Sequence, residues 1–431
     1  MQQARKFGFW TLTFLVVANM IGAGVFTTSG FSLNDLKSPH LVVLAWGVGG
    51  VIAIAGAISY GQLVRHMPES GGEYLFLSRA AHPLFGCIAG WVSLTAGFTG
   101  PIAYSAMTFE KYAMPLVNRP SWYRDDMLAV AIIVFCFLWH FIVPAIGEIG
   151  QNAVVVLKLL LLAVFIGAAL KLSPDRWQGI STMPAGTEIG SWATAYAFAG
   201  SLVWISLSYA GFNAGVYVAD EVDNPQLIAK ALFAGTVSVV LLYVALNAIF
   251  VYSAPTDSIA AQPDIAAVVA DWIGGQRLAT FVRITIAIAL FTSVSSMMLA
   301  APRVYAKMAD DGVMPKWFAF SHGRPRAAML AQAILAIVVV LWSDLYNLLQ
   351  YLSLTLMLSA VGTVACLFTP FVRSREPSKI RLVAPAVFII ASLVSAVLRS
   401  INEPQLLIGT AATFAIGVAG YFAVTDYRRV D

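Results

Sequence analysis

Charge is what this sequence has least of. Acidic and basic residues make up 11% of its 431 positions, where a soluble domain carries about a quarter. With 59% hydrophobic residues and a mean hydropathy of +0.79, a water-soluble globule is excluded. Cysteine is scarce too. Cys87, Cys136 and Cys366 all fall inside apolar stretches, with no metal-ligand spacing and no disulfide framework. They read as small buried hydrophobes, and no metal or cofactor is expected. Histidine occurs at His40, His66, His82, His140 and His322, mainly at the edges of apolar stretches or in loops, and neither HExxH nor GxSxG is present. That argues against a membrane enzyme. The net charge of +4 sits in short loops and implies no nucleic-acid partner.

What is present is a succession of apolar blocks, each near the roughly 20 residues a helix needs to cross a bilayer. About twelve spans are expected, at 9–33, 40–64, 84–112, 127–143, 151–170, 192–219, 227–253, 278–308, 327–342, 346–371, 382–399 and 404–424. The first is long enough to stay in place behind Arg5 and Lys6 rather than serve as a cleaved leader. An even number of spans puts both termini on one side, and the Lys/Arg bias makes that side cytoplasmic. Arg5–Lys6, Arg65/Arg79, Lys307/Lys316/Arg324/Arg326, Arg373/Arg375/Lys379/Arg381 and Arg428/Arg429 then lie inside, against Arg119, Arg124, Lys171 and Arg176 outside. The fold class is all-α integral membrane, one domain over 1–431. In the outer loop 254–277, Ile265–Trp272 reads as a short amphipathic helix. The inner loop 66–83 mixes a Gly-Gly turn with an apolar face and reads as partly inserted.

Two spans carry interruptions. Span 1 has Gly22-Ala23-Gly24 near its centre with Asn19 beside it; span 6 has Ala210-Gly211-Phe212-Asn213 with Ser208 and Tyr209 beside it. Small residues alone serve close helix packing. Matching interruptions in the first helices of two five-helix halves point instead to a binding site at a repeat interface. An unwound turn at mid-membrane frees amides and carbonyls that lipid cannot satisfy. The N-terminal end of an outer half-helix suits a carboxylate, and the C-terminal end of an inner one suits an ammonium or a cation. A zwitterionic amino acid meets both.

Four stretches together carry a family resemblance: Ile21-Gly22-Ala23-Gly24-Val25-Phe26; Tyr60-Gly61-Gln62-Leu63 with Pro68-Glu69-Ser70-Gly71-Gly72-Glu73-Tyr74; Ser208-Tyr209-Ala210-Gly211-Phe212-Asn213 with Asp220-Glu221-Val222-Asp223-Asn224-Pro225; and Arg303 through Lys316. On these the chain resembles the amino acid–polyamine–organocation transporter superfamily, which has the leucine-transporter fold, and looks nearest to bacterial amino acid permeases and L-amino acid transporter relatives. The resemblance implies a 5+5 inverted repeat (1–171 and 190–371) with discontinuous helices 1 and 6, followed by two further helices in 380–431. It implies that amides of Gly22, Ala23 and Gly24 hold a substrate carboxylate, and that carbonyls of Met20, Ile21, Leu207, Ser208 and Ala210 hold its ammonium, with Tyr209, Gly211 and Asn213 completing the site. Leu207 stands where the family often has an aromatic gate, so Tyr209 or Phe212 would have to compensate. Pro302 is expected to bend span 8.

Lys158 lies well inside span 5. A lysine at that depth costs about 2.5 kcal/mol or more and is usually functional; snorkelling is the plain alternative, but the residue lies about 9 Å along the helix from Asn152. In the transporters the chain resembles, a lysine here occupies the place of a sodium ion. Lys158, with Ser293, Ser295 and Ser296 of span 8, is therefore expected to cap carbonyls of span 1 and make transport sodium-independent. The other charges read as peripheral: Glu73, Glu221, Asp223 and Asp310–Asp311 are loose inner-loop charges or an inner gate with Arg65, Arg79 or Arg303. No acid is expected near the interruptions, which favours small or medium neutral amino acids over cationic ones or polyamines. Exchange and proton symport both stay open. Residues 113–126 hold no cysteine, so the covalent single-pass partner of some family members is not expected; a monomer or weak homo-oligomer in the cell membrane is. A transport-inactive amino acid sensor is the competing class.

Overall fold

The computed structural model describes residues 7–117, 119–142, 148–172, 191–321, 325–374 and 378–430, with the helical backbone alone at 148–155 and 424–430. Arg5, Lys6, Arg176, His322, Arg324 and Arg375 lie outside the described residues. The described chain is helical and holds no β-strand. Span 1 is two helices, α1 (Phe9–Met20) and α2 (Gly24–Leu36), bent by 43°. α3 (Pro39–His66) follows, then a short α4 (Glu73–Ala80) in the loop 66–83, burying Tyr74, Phe76, Leu77 and Ala80. Span 3 starts as α5 (Pro83–Val92), widens into π-helix over Ser93–Thr99 and continues as α6 (Gly100–Ala113). Pro101 has no amide to give a regular α ladder, and the Gly100 amide bonds back to Thr95.

Next come α7 (Met127–Ile142), α8 (Glu148–Leu172), α9 (Trp192–Tyr209) and α10 (Pro225–Tyr252). A one-turn α11 (Thr256–Ile259) leads to α12 (Ile265–Asp310), whose N-terminal piece is set off by Gly275 at φ 68°. That piece matches the short helix expected at Ile265–Trp272. The backbone stays helical through Pro302, so the break in α12 falls at Gly275, where a positive φ is needed, and not at the proline. α13 (Arg326–Trp342), α14 (Leu345–Ala365), the short α15 (Pro370–Arg373), α16 (Val383–Asn402) and α17 (Leu406–Val430) complete the chain. Helix starts follow local chemistry. Prolines open α3, α5 and α10, and the side chains of Ser191, Asn224 and Asp344 accept the first free amides of α9, α10 and α14.

Among the described residues eight helices are long and apolar enough to cross a membrane, nine with the bent pair taken as one span, against the twelve expected. α7 and α13 stand at the fourth and ninth places. At 16 and 17 residues they are shorter than the roughly 20 that a full crossing takes. α8 stands at the fifth place.

The helices pack in two groups. α3 lies along α10, α9 and α16, and α1 lies along α10; α12 lies along α6, α7, α8 and α13. α2 touches both groups through α9 and α12, α4 sits chiefly on α5, and α17 flanks α5. α16 and α17 bury the smallest shares of their apolar windows, as peripheral helices do. One charge is nevertheless drawn inward there: Arg399 of α16 is 2% exposed, bonds Gln350 at 2.6 Å, pairs with Glu403 at 3.0 Å and lies 4.9 Å from the Trp204 ring.

Candidate functional site

Span 1 unwinds because α1 stops at Met20, with Ile21 leaving helical geometry at ψ 88°, and α2 restarts at Gly24. Span 6 unwinds after Tyr209: Ala210 is extended at ψ 147° and Gly211 takes φ 100°. The breaks meet through two glycines. A Cβ on Gly24 would sit 2.4 Å from the Ser208 hydroxyl and 2.9 Å from its Cα, and one on Gly211 would sit 2.7 Å from the Asn19 carbonyl. Gly22 has open space around it. The chain past Gly211 does not resume as α-helix; it runs as a 3-10 segment, Ala214–Glu221, irregular at Val218. The second limb of span 6 is therefore a tighter, poorer helix than the second α half expected.

A cavity of about 520 Å³ opens on both breaks. Met20, Gly22, Ala23, Gly24, Leu207, Ser208, Ala210, Gly211 and Asn213 line it, as do Lys158, Ser293, Ser295 and Ser296. Ile21 and Tyr209 stand back from it. Ile21 is 1% exposed, and Tyr209 turns its hydroxyl to the Trp46 carbonyl at 3.1 Å. Tyr209 therefore cannot be the missing aromatic gate; Phe212 lines the cavity, edge-on to Tyr60 at 5.4 Å.

The freed backbone groups are partly claimed by protein. The Tyr243 hydroxyl, from α10, donates to the Met20 carbonyl at 2.6 Å. The Leu207 carbonyl accepts the Ala210 amide at 3.1 Å. The Ala23 and Gly24 amides at the start of α2 have no backbone acceptor among the described residues. The arrangement offers two adjacent donors at a helix N-terminus facing the carbonyl end of α9. That is a cradle for one carboxylate and one ammonium.

Lys158 is 6% exposed, which rules out snorkelling in this conformation. Its ammonium donates to the Ser293 hydroxyl at 3.3 Å. Ser295 is bonded to His140 at 2.8 Å and not to Lys158, and no bond from Lys158 to a span 1 carbonyl forms among the described residues. Tyr243 already occupies the Met20 carbonyl.

The expectation of no acid near the breaks fails. Glu73, read as a loop charge, lines the cavity and accepts from Tyr60 at 3.1 Å, from Tyr217 at 2.5 Å and from the Asn213 amide. Arg79 pairs with Glu69 instead, and Asp311 takes Lys307 and the Tyr74 hydroxyl. Tyr104, His140, Trp139 and the π-helical Ser93, Gly97 and Phe98 also line the cavity. Of these, only His140 stands out in the sequence, as one of five histidines mainly at span edges or in loops.

A family model described as "Amino acid permease" matches residues 7–423. The chain belongs to this amino acid permease family. It is 24% identical to the mouse b(0,+)-type amino acid transporter 1, over 96% of this chain and 86% of that protein. It is 24% identical to the human large neutral amino acids transporter small subunit 2, over 95% of this chain and 78% of that protein. It is 23% identical to the human Asc-type amino acid transporter 1, over 93% and 79%. These relatives are transporters, not enzymes, and this permease is an all-helical, multi-pass membrane protein of an amino acid transporter family.

Proposed function

We propose that the permease carries small or medium neutral L-amino acids across the cell membrane by alternating access, without sodium. The observation that carries this reading is one cavity bounded by both breaks and by the buried Lys158. The Ala23 and Gly24 amides hold the substrate carboxylate, with Gly22 beside them on the cavity wall. The carbonyls of Ser208 and Ala210 face the ammonium; those of Met20, Ile21 and Leu207 complete the electrostatic surroundings. Lys158 and Ser293 supply the positive charge and hydroxyl where a sodium ion would otherwise be held, with Ser295 and Ser296 on the same wall. Both termini are cytoplasmic, by the Lys/Arg bias. One relative's name describes a small subunit; residues 113–126 here contain no cysteine, so no disulfide-linked partner is proposed, and the chain works as a monomer or weak homo-oligomer.

A second reading, transport of cationic amino acids or polyamines, is favoured by one observation: Glu73 lines the same cavity. Against it, that carboxylate already accepts three hydrogen bonds. Uptake of labelled alanine, leucine, arginine and putrescine by purified protein in liposomes, with and without sodium, separates the readings. Neutral uptake indifferent to sodium is expected, and Lys158→Ala should lower it about tenfold or more. Full activity in that variant refutes the role given to Lys158. Uptake confined to arginine or putrescine refutes the neutral assignment, and binding without uptake makes the chain a sensor.

A further inference from the structure

The Ser70-Gly71-Gly72-Glu73-Tyr74 stretch does more than turn the chain. Glu73 is the first residue of α4, and α4 rests chiefly on α5. The Tyr74 hydroxyl donates to Asp311 at 2.7 Å, just past the end of α12. α4 thus belongs with the α6–α12 group. All three donors to Glu73 come from the other group: Tyr60 from α3, and Asn213 and Tyr217 from the segment that follows α9. Ser70 adds a parallel link, accepting the Asp220 amide at 3.0 Å.

Backbone geometry makes this contact specific. Gly72 has φ 62°, and a Cβ there would lie 2.3 Å from Cε1 of Tyr217. The Tyr217 ring reaches Glu73 only because position 72 carries no side chain. Asn213 lies two residues beyond Gly211, so whatever holds Asn213 holds the span 6 break. Hydrogen bonds to a charged acceptor are each worth more than neutral ones, and this carboxylate concentrates three of them between two bodies that alternating access requires to move apart.

We propose that Glu73 is a positioning residue for transport: it ties the inner limb of span 6 to the α4–α5–α12 side, and this tie is released and remade in every turnover. The proposal rests on the carrier reading for its kinetic arm but not for its structural arm. Glu73→Gln keeps the size and one acceptor while removing the charge, and Tyr217→Phe keeps the ring over Gly72 while removing one donor. In liposomes, with leucine or alanine as probe, Glu73→Gln should lower Vmax about tenfold with KM moving less than about threefold. Tyr217→Phe should do the same more weakly, and the double variant should be no worse than Glu73→Gln alone.

In parallel, Ala18→Cys, on the cavity wall, reports opening by its rate of reaction with a maleimide in the detergent-purified protein. That rate should rise about fivefold in either background, Glu73→Gln or Tyr217→Phe, because the limb is loosened. The reporter needs no transport, so wild type that takes up no amino acid defeats the carrier reading while the labelling still judges the tie. A raised KM at unchanged Vmax would make Glu73 a substrate ligand and overturn the proposal. Labelling within about twofold of the parent in both variants, or additive losses in the double variant, would overturn it as well.

Discussion

The two interrupted spans are broken at matching places and held by unlike means. The break in span 1 is short and lies between two α-helices, and uncharged hydroxyls brace it from both packing groups. Tyr243 bonds the Met20 carbonyl, Tyr104 meets Thr27 at 2.5 Å, and Tyr112 donates to the Phe26 carbonyl at 2.8 Å. All three tyrosines are buried to 2% exposure or less. The break in span 6 runs on into a 3-10 segment and is held there by the carboxylate of a loop helix. A buried neutral hydrogen bond is costly to break without a replacement; a charged tie at the rim can exchange protein donors for water. Under the proposed cycle, the contrast assigns span 1 to keeping its amides in place and span 6 to letting one limb go.

The sharpest way to break this comparison is to force the spans apart. Gly24→Ala puts a methyl against Ser208, and Gly211→Ala adds one against Asn19 at a φ that disfavours a side chain. Each should cut uptake roughly 100-fold or more, read as initial rates in liposomes at matched protein incorporation. Tyr243→Phe removes the brace on Met20 and should cost roughly tenfold, mostly in KM, since it loosens the binding break and leaves the inner limb alone. A pure Vmax loss in that variant would erase the distinction between the two spans. Gly22→Ala meets nothing within 4 Å and should stay within about twofold of wild type, the control that separates close approach from glycine content as such.

Much of this was readable in advance. Both breaks showed as small residues beside polar ones at corresponding places, and Lys158 showed because a charge in an apolar run is rare. The tyrosines did not. A phenol within a span reads like any other bulky apolar residue until helix rotation settles which face meets the break, and that depends on neighbours remote in sequence. Glu73 was legible as a motif residue and misread in place: a carboxylate in a loop reads as solvated, and only the left-handed turn at Gly72 and the fit of Tyr217 bring it to the cavity. Ser295 went to His140 for the same kind of reason, since α7 faces α12 there. The short α7 (Met127–Ile142) and α13 (Arg326–Trp342) fall within a residue of the apolar blocks read at 127–143 and 327–342, so hydropathy placed and measured both.

The central claim is that amides freed at the span 1 break and carbonyls at the end of α9 grip the two charges of one amino acid. The most direct test is a structure of the permease with leucine or alanine bound. The account predicts the carboxylate within about 2.7–3.2 Å of the Ala23 and Gly24 amides and the ammonium turned to the Ser208 and Ala210 carbonyls. An amino acid lodged elsewhere in the cavity, with its carboxylate on Lys158 or on no backbone amide of span 1, would contradict it.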